Sequence, residues 1–132
     1  GALRKVSGSL LPMEYAGVPA RSPDGAPLPV SHILYAANKY IAGDCYSANK
    51  EFMACKANDA NPAACLKEGE RVRACVKAVL KSLDADCGAH LTAHSKCIFK
   101  NNNKFEMCRA EQAKVEECRP PPAGSRPEGA KY

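Results

Sequence analysis

Four times along this chain a cysteine is followed by nine residues and then a second cysteine: Cys45 and Cys55, Cys65 and Cys75, Cys87 and Cys97, Cys108 and Cys118. This repeat constrains the fold more than any other feature. On a helix rising about 1.5 Å per residue, the two sulfurs of an element lie roughly 15 Å apart along the axis. Ten steps are close to three full turns, so both sulfurs look broadly to one side. A disulfide needs Cα atoms within about 7 Å, so no element can close on itself. Two antiparallel helices joined by a short connector bring the first cysteine of one opposite the last of the other. The bridges expected are Cys45–Cys75 and Cys55–Cys65 in one hairpin, and Cys87–Cys118 and Cys97–Cys108 in a second. Each contributes about 2–4 kcal/mol, not additively, by restricting the unfolded chain.

Staples suit this composition. All eight cysteines of the 132 residues fall between Cys45 and Cys118, and the chain has no Trp, three Phe and five Tyr with which to build a core. Small domains short of large apolar side chains usually depend on disulfides or metals. Zinc would require closer ligand pairs, such as two cysteines within one turn of backbone, and none exists. No metal or other cofactor is therefore expected. No run of apolar residues is long enough to span a bilayer.

The region between the first and last cysteines reads as helical. Ser31 is placed to cap a helix through Ile33, Leu34, Tyr40 and Ile41 that stops at Gly43, and Asp44 to cap the next. Asn61 followed by Pro62 is a helix start. Leu66, Val72, Val76, Val79, Leu80 and Leu83 follow a helical period. Asp84 or Asp86 is expected to start a third cysteine-bearing helix. Asn101-Asn102-Asn103 breaks it, and Asn103 with Glu106 has the spacing of a capping box. Strand patterns are absent. The expected fold is all-α, two tandem disulfide-stapled helical hairpins. Its division is an extended Pro/Gly-rich arm (1–31), a short helix (32–43), a first hairpin (44–81), a second (84–118) and an extended Pro-rich tail (119–132).

Charge and polar residues say what the chain does not do. The net charge of +5 is spread along the chain and alternates in sign, as in Lys67-Glu68-Gly69-Glu70-Arg71. Nucleic-acid binders concentrate Lys and Arg on one face with aromatics interleaved, so no nucleic-acid partner is expected. No nucleophile and base can be assembled, so no catalytic residue is expected. His90 and His94 stand one helical turn apart, as chelating pairs do, but lack a third ligand; packing or interface contacts are the expected roles. His32 stands alone near a helix start. Phe52 with Met53, and Phe99 with Phe105, are expected to fill the hairpin cores. Leu10, Leu11, Met13 and Tyr15 lie in an arm that cannot pack a core alone, and are expected to contact a partner.

Paired C-x9-C hairpins resemble the CHCH-domain family. The strings Asn49-Lys50-Glu51-Phe52-Met53-Ala54-Cys55, Cys65-Leu66-Lys67-Glu68-Gly69 and Cys108-Arg109-Ala110-Glu111-Gln112-Ala113-Lys114 narrow the likeness. They resemble the quadruple-C-x9-C accessory subunits of respiratory complex I. The likeness covers roughly residues 27–118, including Pro29-Val30-Ser31, and the short tail is similar to plant or algal versions. It implies a non-catalytic structural subunit made without a presequence and trapped in the mitochondrial intermembrane space by an oxidative import relay. Phe52 and Met53 beside Cys55 would be the docking residues. It implies other membrane-arm subunits as partners, on the intermembrane-space side of the inner membrane. The alternatives are another intermembrane-space CHCH assembly factor and, from a different class, a secreted disulfide-rich effector or inhibitor.

Overall fold

Helix begins at Ser31 and persists, with short interruptions, to Cys118. The computed structural model describes residues 3–6, 9–12 and 18–122, the first two segments by their backbone alone. Five helices carry the fold: α1 (Ser31–Ala36), α2 (Asn38–Asp44), α3 (Tyr46–Asn58), α4 (Leu66–Lys100) and α5 (Arg109–Cys118). Single-turn 3₁₀ segments at Pro62–Cys65 and Phe105–Met107 lead into α4 and α5. Leu3–Val6 (β1) and Ser9–Pro12 (β2) pair antiparallel, Leu3 opposite Pro12 and Val6 opposite Ser9. The sequence shows no strand there, because four-residue segments are too short for alternation to stand out. The core is all-α, built on the disulfide-stapled helical hairpins.

Several helix ends differ from those expected. Ser31 is the first helical residue rather than the cap, and Gly43 stays inside α2, which ends at Asp44. The third cysteine-bearing helix does start here, but at Cys87 rather than on Asp84 or Asp86: α4 breaks helical angles at Cys87 (φ −133°, ψ 29°), where two helices meet at a kink. Asp84 is instead the acceptor for Arg21. Asn61 does cap, its side chain accepting from the Ala63 N–H at 3.1 Å ahead of Pro62. Asn102 and Asn103 adopt positive φ (54° and 64°), conformations Asn tolerates better than most residues, and they end α4. Asn103 is thereby spent on the turn and forms no capping box; Cys108 precedes α5.

The core lies along the middle and end of α4. Leu80, Leu83, Cys87, Leu91, His94 and Ile98 recur at three- and four-residue steps and are buried, as is Val79 beside them. The apolar ones pack with Ile33, Ala36 and Ala37, with Tyr40, and with Val115 of α5. Burying one such Leu or Ile fully contributes about 1.5–3 kcal/mol. The opposite end is different in kind: α3 is thirteen residues long and buries none of them. Phe52 is half-buried over Gly69, where an added Cβ would stand 3.3 Å from the ring. Met53 is 43% exposed and Phe99 37%. Phe52, Met53 and Phe99 therefore edge the hairpins rather than fill them, whereas Phe105 packs against the core. Phe99 packs edge-on to His32 and Phe105 edge-on to Tyr35, with ring centroids 5.5 and 5.2 Å apart.

Residues 18–30 fold back onto α4. The Leu28 N–H donates to Ala20 O at 2.8 Å across a turn whose Gly25 has φ +86°. Arg21 donates to both Asp84 oxygens at 2.7 and 3.1 Å, and Lys77 pairs with Asp24 at 3.6 Å. Ser22 and the Ala26 N–H donate to Asp24 and hold its carboxyl down to about 2.

Candidate interaction site

The eight cysteines form four bridges with Cα–Cα distances of 5.8 to 6.0 Å: Cys45–Cys75, Cys55–Cys65, Cys87–Cys118 and Cys97–Cys108. A regularity of backbone underlies them. Cys45, Cys65, Cys87 and Cys108, the first members of the four elements, all sit where a helix begins or restarts. Their φ runs from −106° to −133° and their ψ from 15° to 29°. All four are buried, to 3% exposure or less. Their partners lie ten residues into a neighbouring element and are more exposed. Each bridge thus anchors a buried helix start to a helix wall or end.

A glutamate stands beside each inner bridge. Glu68 lies with Cys55 and Cys65, and Glu111 with Cys97 and Cys108, each set having its sulfur and oxygen atoms within 4.8 Å of one another. The Cys-x-x-Glu spacing repeats in both hairpins. Disulfide sulfurs carry no thiolate charge, so these sets are not metal ligands while oxidised.

His90 and His94 part company. His90 is exposed, whereas His94 is 2% exposed and both its ring nitrogens are buried without a hydrogen-bond partner. Burial pushes the His94 pKa down; Glu111 and Glu116 oppose that shift and Arg109 adds to it. Burial also lowers the pKa of His32, whose Nε2 lacks a partner. Glu116 accepts from Lys39 at 3.1 Å and Gln112 at 2.8 Å; these bonds draw its pKa down against the opposing effect of burial. Sequence reasoning missed Arg119 altogether. Its carbonyl accepts from the Tyr40 hydroxyl at 2.5 Å, and its guanidinium donates to Ser82 at 2.9 Å and lies 3.8 Å from Asp44 and Asp86. Only its position directly after Cys118 hinted at this role.

Of the residues expected in partner contacts, Leu10 and Leu11 lie on β2, described by backbone only, and Met13 and Tyr15 lie outside the described residues. The exposed apolar surface sits elsewhere. A groove of about 400 Å³ opens between α1–α2, α3 and α4, walled by Leu34, Ile41, Met53 and Val76. A second, of about 550 Å³, adjoins it through the shared Leu34 and Val76 and is bounded by Leu28, Pro29, Arg73 and Lys77. Among the described residues no helix is long and apolar enough to cross a membrane.

No protein-family model matches the chain. It is similar to NADH dehydrogenase (ubiquinone) 1 alpha subcomplex subunit 8-A of Arabidopsis thaliana, 40% identical over 96 residues, which are 73% of this chain and 89% of that protein. Subunit 8-B of the same plant is 38% identical over 96 residues, covering 73% of this chain and 91% of the relative. The NADH-ubiquinone oxidoreductase 20.8 kDa subunit of Neurospora crassa is 33% identical over 89 residues, 64% of this chain and 48% of that longer protein. Identity of 40% sustained over nearly nine-tenths of a relative, on a chain with four bridged C-x9-C elements, decides the matter: the chain belongs to the family of NADH dehydrogenase (ubiquinone) 1 alpha subcomplex subunit 8.

Proposed function

We propose that this chain is a non-catalytic accessory subunit of mitochondrial NADH:ubiquinone oxidoreductase, complex I, bracing the intermembrane-space face of its membrane arm. The observation that carries the reading is the match to the two plant subunit 8 proteins over about nine-tenths of their lengths. The cysteine framework supports the compartment, since disulfides persist where the surroundings are oxidising. The chain is taken there by the oxidative import relay, with Phe52 and Met53 beside Cys55 as docking residues. In the mature protein all eight cysteines are oxidised, in the pairs Cys45–Cys75, Cys55–Cys65, Cys87–Cys118 and Cys97–Cys108.

The contribution is mechanical. Residues 44–81 and 84–118 act as two stapled units joined through α4, whose 35 residues kink at Cys87 between them. Bridges order these units before they meet a partner, so less conformational entropy is lost at the interface. Leu10, Leu11, Met13 and Tyr15 add contacts from the N-terminal arm, and His90 and His94 serve interface and packing rather than chemistry.

Depleting the chain in its own organism tests this. Assembled complex I is expected to fall in amount, while NADH:ubiquinone turnover per remaining assembled complex stays unchanged. Normal assembly with lost turnover would make the chain catalytic and overturn the reading. Normal assembly with normal turnover would remove the structural role as well.

A further inference from the structure

The two apolar grooves described above adjoin through shared walls, and the first hairpin leaves both open. A thirteen-residue helix that buries nothing, as α3 does, has no core of its own; the bridges at Cys45–Cys75 and Cys55–Cys65 hold it to α4 in place of one. Met53 stays 43% exposed on the groove wall although apolar residues flank it. Leu34 and Val76 line both grooves, which therefore lie side by side between Ile41 and Leu28. Helical spacing supplies their walls: Leu34, Asn38 and Ile41 from one side, Asn49 and Met53 from another, Arg73, Val76 and Lys77 from α4.

Charge indicates what fits. Residues 44–81 carry seven Lys or Arg against five Asp or Glu, whereas residues 82–118 carry five against six. The positive excess of the helical region thus belongs to the first hairpin. Arg73 and Lys77 stand at the groove edge, paired among the described residues with Glu70 at 3.5 Å and Asp24 at 3.6 Å. Both cations are more than half exposed, and such pairs are worth little, so they can exchange partners for a new carboxylate. Asn38 and Asn49 line the groove with no side-chain hydrogen bond among the described residues. A lipid tail would leave those amides unpaired; a polypeptide can satisfy them.

We infer that this groove receives an amphipathic helix of a neighbouring protein subunit, its apolar side on Leu34, Met53 and Val76 and its carboxylates facing Arg73 and Lys77. Ridges of an incoming helix fit grooves between helices, the mode of recognition such a surface serves. The inference rests on the accessory-subunit reading and names the face that does the bracing.

The test places a photo-cross-linking p-benzoylphenylalanine at Met53 in the full chain, expressed in its own mitochondria and irradiated within the native complex. Expected is one adduct to a protein subunit, mapped to a helix bearing Asp or Glu, and reduced several-fold when R73E and K77E are added. If the variants remain oxidised and helical yet fail to enter the complex that the wild-type chain enters, the face is likewise required. An adduct to lipid, an adduct to the chain's own N-terminal arm, or no adduct from a fully assembled chain overturns the inference. So does a protein adduct that charge reversal leaves unchanged. Failure of the wild-type chain itself to enter the complex sinks the accessory-subunit reading instead.

Discussion

His94 is buried with both ring nitrogens unpartnered, and burial lowers its pKa from the ordinary 6.5. The folded chain therefore prefers the neutral ring, while the unfolded chain takes up a proton near the ordinary value. Stability is complete above about pH 6.5 and is lost as the pH falls below it. His32 acts in the same direction. Glu116 and Asp24, whose pKa values are lowered, titrate below this window. Thermal melts followed by circular dichroism between about pH 7 and pH 5 should show a falling Tm, and a flatter one in H94L. An H94L variant that folds but keeps the wild-type slope contradicts this account. Arg119 makes a second residue-scale prediction: R119A removes the bond to Ser82 and the contacts with Asp44 and Asp86. The expected cost is about 1 kcal/mol, read as a few degrees of Tm. A packing role for His94 was legible from its place near the Cys87–Cys97 stripe that faces the partner helix; that His90, one turn away, stays exposed was not.

At the scale of elements, the two hairpins should answer differently to the same kind of change. Truncating Leu83 or Ile98 to Ala should cost about 2–5 kcal/mol, because both are fully buried in the packed end of α4. Truncating Met53 or Leu66 should cost less than about 0.5 kcal/mol, since they are 43% and 67% exposed. Chemical denaturation of the isolated variants measures both; equal losses would mean that the first hairpin has a core after all. The double variant C45S/C75S should free α3, so that amide exchange accelerates over 46–58 while residues 79–98 stay protected. Protection retained over α3 would contradict its dependence on the bridges. The helical-hairpin class was legible because a ten-residue interval returns both cysteines to one side of a helix and the stretch around them carries helix starts and a 3.6-residue apolar period rather than alternation. Boundaries were less so. Asp84 has the residue type of a cap, but Arg21, 63 positions earlier, claims its carboxylate. Asn103 has the spacing of a capping box, but its positive φ serves the turn. Both outcomes depend on contacts distant in sequence or on backbone angles that residue type alone does not dictate.

Across the whole molecule, packed core and open apolar surface are divided between the two ends. One end carries the hydrophobic core, and the other is stapled and leaves an apolar, positively edged groove open. Composition foreshadowed this division: a chain with no Trp and three Phe has little with which to fill two cores, and the structure fills one. The groove itself was not legible, because Leu34, Met53 and Val76 converge only once α1, α3 and α4 are stapled together. The central claim, that this stapled chain serves as a resident part of the respiratory complex, is tested most directly by native gel electrophoresis of mitochondrial membranes with a non-reducing second dimension. The account predicts that the chain migrates with complex I and emerges as an oxidised monomer, eight hydrogens lighter by mass than its reduced form. A chain found only as a free small species, or carrying free thiols within the complex, would contradict it.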